Sequence, residues 1–131
     1  MREPVWIDEY EAVLIHGRLI ALYGGPPGIR DEGLLQSALA RPRQIYSYEE
    51  GPKIVRMAAA LTAGIIRNHP FVDGNKRTGF LMGVLFMELN GYRFTASEED
   101  ATEAVLSLAA GTLTEDDFAA WLETSVRGPK A

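Results

Sequence analysis

The chain has 131 residues, 47% of them apolar, and a formal charge of −5. That length suits a single domain with its own core. The acidic balance gives no general attraction to nucleic acid or to an anionic membrane, so any anion site has to be local. Cysteine is absent, which excludes disulfides and thiolate metal sites. The N-terminus MREPVWIDEY holds no apolar segment suited to export, and the longest apolar run, Gly79 to Met87, is too short to span a bilayer. The expectation is one cytoplasmic domain over residues 1–131 that meets no membrane and binds no nucleic acid directly.

Helix signals run through almost the whole chain. Asp8 and Glu11 have capping-box spacing, and Ala12, Ile15, Leu19 and Leu22 recur at helical intervals until Gly24 and Gly25 stop them. After GGPPGIR, Asp31 precedes a second, short helix carrying Leu34, Leu35, Ala38 and Leu39, expected to end before Pro42. Residues 41–51, RPRQIYSYEEG, fit either a short extended flap built on Ile45, Tyr46 and Tyr48 or a plain loop. From Pro52 a third helix sets Ile54, Val55, Ala58, Leu61, Ile65 and Ile66 on a broad apolar face and stops at Asn68, ahead of Pro70.

A fourth helix beginning at Gly74 or Asn75 reads GFLMGVLFMEL, apolar on nearly every side, and ends at Asn90-Gly91. Such a helix belongs at the centre of a bundle. Ser97 with Asp100, and Thr114 with Asp117, open two further helices, with Val105, Leu108, Phe118, Trp121 and Leu122 facing inward. The predicted fold is all-α, about six helices around the central apolar one, with MREP and RGPKA as frayed tails.

In front of the fourth helix stands HPFVDGNKRTGF, residues 69–80, where most of the polar chemistry is concentrated. The N-terminus of a helix leaves backbone N–H groups unpartnered and carries roughly half a positive charge. Gly74 lets the backbone approach a ligand closely, so the turn suits a phosphate. Lys76 and Arg77 lie in the same first turn, where cations are unfavourable unless an anion sits between them and the dipole. Asp73 fits two roles, an acid complementing the dipole or a carboxylate holding Mg²⁺ beside a phosphate. His69 is suited to taking a proton from a hydroxyl that attacks phosphorus. Pro70 and Phe71 would stiffen and anchor the loop.

At these positions the chain resembles the Fic/Doc family, whose signature runs His, Pro, Phe, any residue, Asp or Glu, Gly, Asn, Gly or Lys, Arg. His69, Pro70, Phe71, Asp73, Gly74, Asn75 and Arg77 match it in order. GGPPGIRDEGLLQSALARP, FMELNGYRF and AAGTLTEDDFAAWL extend the likeness over nearly the whole chain and are similar to the Doc branch, the death-on-curing toxins. The resemblance implies a helical Fic fold with His69 as the base, Asp73 as the Mg²⁺ ligand, and Gly74, Asn75, Lys76 and Arg77 binding the phosphates of ATP. AMP-transferring members usually have glycine at the position of Lys76 and a second arginine at that of Phe80. Doc has Asn-Lys-Arg-Thr there, as here, although it has alanine at the position of Gly74, and it phosphorylates a threonine of elongation factor Tu. The resemblance therefore implies a protein Ser/Thr kinase toxin with a Phd-like antitoxin. The alternatives are an AMP transferase and a non-catalytic module that binds a nucleotide or an antitoxin. No built-in inhibitory helix, a Ser or Thr followed four residues later by Glu and then Gly or Asn, occurs in the sequence; SYEEG at 47–51 has the wrong spacing.

Outside that context the same residues are ordinary. A lone His69 before a proline would be a capping or surface group, Asp73 an N-cap, Asn75 a turn residue, and Lys76 and Arg77 a solvated pair. His16 has no comparable neighbours and is expected to be structural. Arg67 and Asn68 are expected only to end their helix, and Trp6 and Trp121 to be core or terminal docking residues rather than platforms for stacking a base.

Overall fold

A computed structural model describes residues 2–129. Six helices follow one another: α1 Glu9–Tyr23, α2 Glu32–Tyr48, α3 Ile54–Asn68, α4 Asn75–Leu89, α5 Glu98–Ala110 and α6 Glu115–Thr124. Among the described residues the strands are two short pieces, β1 Arg93–Phe94 and β2 Val126–Arg127, paired antiparallel with Arg93 opposite Arg127 and Phe94 opposite Val126. No helix among the described residues is long and apolar enough to cross a membrane.

The helix starts follow the cap chemistry. Asp8 accepts from the Glu11 N–H at 2.8 Å while its own N–H donates to Glu11 Oε1 at 3.2 Å, a complete capping box. Asp31, Ser97 and Thr114 each accept from the amide three residues on.

The second helix departs from expectation. α2 continues through Pro42 to Tyr48, so residues 41–51 form neither a flap nor a loop over most of their length. A proline inside a helix costs about 3 kcal/mol, because it lacks a donor and crowds the preceding turn. Here the apolar stripe of Leu35, Ala38, Leu39, Pro42 and Ile45 is buried in the core, and that packing outweighs the local penalty. Arg41 anchors the same turn by donating to the Ala60 carbonyl at 3.1 Å. Tyr46 packs edge-on against Trp6, with centroids 5.7 Å apart, whereas Tyr48 points to solvent.

The helix at the centre is α3 rather than α4. Every residue from Ile54 to Ile66 except Arg56 is buried, and α2, α4, α5 and α6 all pack against it. Its run of Ala58, Ala59, Ala60, Ala63 and Gly64 lets neighbouring backbones approach closely, which a Leu-rich helix does not permit. α4 meets α3 through Gly79 and Gly83, where an added Cβ at Gly79 would stand 3.1 Å from the Thr62 carbonyl oxygen and one at Gly83 would collide with Thr62 Oγ1. The apolar residues on the far side of α4 face α1, which explains why α4 is apolar all round without being central.

The ends are also more ordered than expected. Pro4 is buried, Val5 exchanges hydrogen bonds with the Asn90 side chain at 2.7 and 3.0 Å, and Arg127 lies in the β1–β2 ladder. Met1, Lys130 and Ala131 of the expected tails lie outside the described residues.

Candidate functional site

The loop between α3 and α4 carries the polar motif, and its shape begins at His69. This residue caps α3 in the left-handed conformation, φ 52° and ψ 52°, the single non-glycine with positive φ among the described residues. For an ordinary L-residue that conformation costs about 1–2 kcal/mol, so the surroundings have to hold it. They do so through the segment joining α1 to α2. Arg30 donates from Nε to the His69 carbonyl at 2.7 Å and from Nη2 to the Asn68 carbonyl at 2.8 Å. The amides of Arg30 and Asp31 both donate to the Pro70 carbonyl, at 2.7 and 3.0 Å, and Val72 N–H donates to the Gly28 carbonyl at 3.0 Å. Ile29 and Phe71 thus form an antiparallel bridge.

Inside the loop Phe71 is fully buried and stacks on the His16 ring, with centroids 4.0 Å apart and planes 6° from parallel. His16 Nε2 lies 2.8 Å from the Asp73 carbonyl oxygen, which can only accept, so this nitrogen carries the hydrogen. Asn75 turns back into the loop: its Oδ1 accepts from Phe71 N–H and its Nδ2 donates to the Phe71 carbonyl, both at 3.0 Å. Three tethers on separate elements, Arg30, His16 and Asn75, therefore fix the backbone between Asn68 and Asn75.

At the end of the loop Gly74 adopts φ 76° and ψ 19° and serves as the N-cap of α4 without any side-chain cap. The first intrahelical bond runs from Thr78 N–H to the Gly74 carbonyl, which leaves the amides of Asn75, Lys76 and Arg77 ahead of it. Lys76 and Arg77 are exposed in that turn, and neither forms an ion pair among the described residues. The Arg77 guanidinium lies over the Tyr23 ring, 4.0 Å from its centroid. Asp73 is exposed, with its carboxylate against the backbone of Gly25; a Cβ there would come within 2.5 Å of Oδ2.

His69, Asp73, Gly74, Lys76 and Arg77 are therefore gathered in one loop and one helical turn. The Asn75 side chain is committed to the loop and 4% exposed, so what it offers outward is its main-chain N–H. Such a site can receive an anion on helix amides and two cations, with a histidine and a carboxylate beside it. Among the described residues no three His, Asp or Glu side chains group as a metal cage. Mg²⁺ needs no such cage, since it keeps waters and binds through one or two carboxylates with substrate phosphates, and Asp73 fits that donor set.

Sequence alone missed the part of the site that comes from the first third of the chain. Ala12, His16 and Leu19 share the buried face of α1, where His16 was expected only to be structural, and nothing in the helical spacing identified Asp73 as its partner. Arg30 carries no local signal, because its two acceptors lie 38 and 39 residues away.

The chain belongs to the Fic/DOC family, whose model matches residues 6–87. Toxin Doc of Mycolicibacterium smegmatis is 37% identical over 102 residues, covering 76% of this chain and 77% of that protein. Protein kinase doc of Escherichia phage P1 is 30% identical over 113 residues, covering 86% and 89% respectively.

Proposed function

We propose that the chain is a single working domain that acts as a Doc-like toxin, transferring the γ-phosphate of ATP to a serine or threonine hydroxyl of a protein. The observation that carries this reading is the uncapped N-terminus of α4, with two cations in its first turn that form no ion pair among the described residues, and His69 and Asp73 on the loop before it. The name of the phage relative, a protein kinase, supports the same chemistry.

In this mechanism the helix amides and Arg77 hold the phosphate chain, and Lys76 balances the charge that builds as the phosphoryl group moves. A ring nitrogen of His69 takes the proton from the acceptor hydroxyl, whose oxygen bonds to the γ-phosphorus while the bond to the bridging β–γ oxygen breaks and ADP departs. Asp73 is the residue that would hold Mg²⁺, which neutralises phosphate charge when bound. His16, Arg30 and Asn75 keep the loop in position, since catalysis of this kind rests on placement and electrostatics. AMP transfer is the alternative chemistry. It has less support, because gripping the outer phosphates while the α-phosphate reacts would fall to Lys76 and Arg77 alone, with Phe80 one turn further on.

The proposed target is a cytoplasmic translation factor such as elongation factor Tu, and the proposed restraint is a Phd-like antitoxin. A groove of about 500 Å³ between α1 and α4, lined by Leu14, Ile15, Leu22, Leu85 and Leu89, suits the apolar face of an antitoxin helix. Expression of the chain should arrest bacterial growth, His69→Ala should abolish the arrest, and co-expression of a Phd-like partner should relieve it and copurify. Normal growth with the wild-type chain at full expression would rule the toxin reading out.

A further inference from the structure

α1 turns one stripe toward the motif loop. His16, Ile20 and Tyr23 stand at i, i+4 and i+7 along the helix, the spacing of a single face. Each meets a different part of the site. His16 Nε2 reaches the Asp73 carbonyl, a Cβ added at Gly74 would stand 3.4 Å from Ile20 Cδ1, and the Tyr23 ring lies against the Arg77 guanidinium, 4.0 Å from ring centroid to guanidinium carbon. Tyr23 is the last residue of α1, and Gly24 closes the helix behind it by donating to the Ile20 carbonyl at 2.7 Å. At 63% exposure the ring adds little to the core, so burial does not account for its place.

We propose that Tyr23 is a positioning residue for Arg77, holding its guanidinium in place for a phosphate at the α4 N-terminus; the assignment rests on the phosphate-site reading above. A carboxylate partner would occupy the N–H donors of Arg77 and cancel its charge. An aromatic partner engages only the flat face of the guanidinium, so the donors around its edge and the full charge stay available to phosphate oxygens. Arg77 has the second kind of partner and, among the described residues, no ion pair of the first kind. Tyr23, Lys76 and Arg77 also border one cavity, so the stacked guanidinium adjoins space that a ligand can enter. A long, flexible side chain loses rotamer freedom when it grips an anion, and a ring that fixes it beforehand removes part of that cost.

Calorimetry with inorganic pyrophosphate in magnesium chloride tests the assignment, since this probe has no base or sugar for the ring to stack on. Tyr23→Ala should weaken binding about two- to tenfold, the usual share of fixing one long side chain in advance. Tyr23→Phe keeps the ring and should bind as the wild type does. In an Arg77→Ala background the further change Tyr23→Ala should cost nothing, because the two side chains act as one unit. Tyr23→Leu, which keeps apolar bulk and helix propensity but not the ring, should repeat the loss if the alanine variant folds poorly. Undiminished binding in both Tyr23→Ala and Tyr23→Leu, a loss in Tyr23→Phe equal to that in Tyr23→Ala, or the full loss again in the Arg77→Ala background would overturn the positioning role and leave the phosphate site standing. A wild-type chain that binds pyrophosphate no better than Arg77→Ala would remove Arg77 from the phosphate site, and the role of Tyr23 with it.

Discussion

His69 is held in a left-handed backbone conformation at the end of α3 by the Arg30 bonds to its own carbonyl and to that of Asn68 and by its N–H bond back to Ile65, yet it is exposed and its imidazole makes no hydrogen bond among the described residues. A side chain with a fixed base and a free tip is what a proton acceptor for an incoming hydroxyl requires. His69→Ala should keep the fold and lose on the order of 10²–10⁴ in turnover, the usual share of a positioned acid–base group. Steady-state transfer rates beside a melting curve check this, and a variant at near wild-type rate would take His69 out of the mechanism. Asn75 shows a different division of labour. Its position in the motif suggested a ligand contact, but its amide pairs with both main-chain groups of Phe71 and so shapes the turn from within.

Between elements the deciding contact is that of α3 with α4. Thr62 donates from Oγ1 to the Gly79 carbonyl at 2.8 Å, and Gly83, one turn on, leaves room for that hydroxyl. Because α4 carries the site at its N-terminus, its seating against α3 sets where the amides point. Gly83→Ala should therefore destabilise the chain by about 1–3 kcal/mol, the usual range for overpacking, despite the better helix propensity of alanine. Chemical denaturation measures it, and an unchanged or raised stability would show that the contact is looser than described. At this scale much was legible in the sequence. Asp8, Asp31, Ser97 and Thr114 announced four helix starts through a single short side chain each, and the apolar period gave α3. Pro42 and the centrality of α3 were not legible. Both depend on which surfaces meet, and the local rules for proline and for an all-round apolar helix carry no information on that.

Across the whole molecule one carboxylate ties three helices together. Glu115 at the start of α6 accepts from both terminal nitrogens of Arg41 on α2 at 2.6 and 3.0 Å, from Arg56 on α3 at 2.7 Å and from Arg67 on α3 at 3.1 Å. Burial pushes its pKa up, but the hydrogen bonds and charges of Arg41 and Arg56 outweigh that and hold it below the ordinary 4.5. A depressed carboxyl pKa contributes stability that is present above the unfolded value and lost as pH falls through the folded one. Acid below about pH 4.5 should thus weaken the fold in part through this group. Glu115→Gln should lower stability at neutral pH by about 1–3 kcal/mol, toward the lower end because the pairs are partly solvated, and flatten the acid limb. Unfolding curves from pH 3 to 7 (about the range of carboxylate titration) check both, and a variant with the wild-type acid limb would assign it elsewhere. The motif loop showed itself in the sequence because its parts are consecutive, whereas this hub and the Arg30 and His16 tethers join residues far apart in the chain.

Whether the loop and the first turn of α4 form a kinase site is tested most directly by incubating the chain with ATP labelled separately at the α- and γ-phosphates, Mg²⁺ and a bacterial lysate. Label from the γ-phosphate should appear on a protein serine or threonine, label from the α-phosphate should not, and Lys76→Gly should depress the γ-transfer. Transfer of the α-label by the wild-type chain, or undiminished γ-transfer by Lys76→Gly, would remove the kinase assignment of this loop.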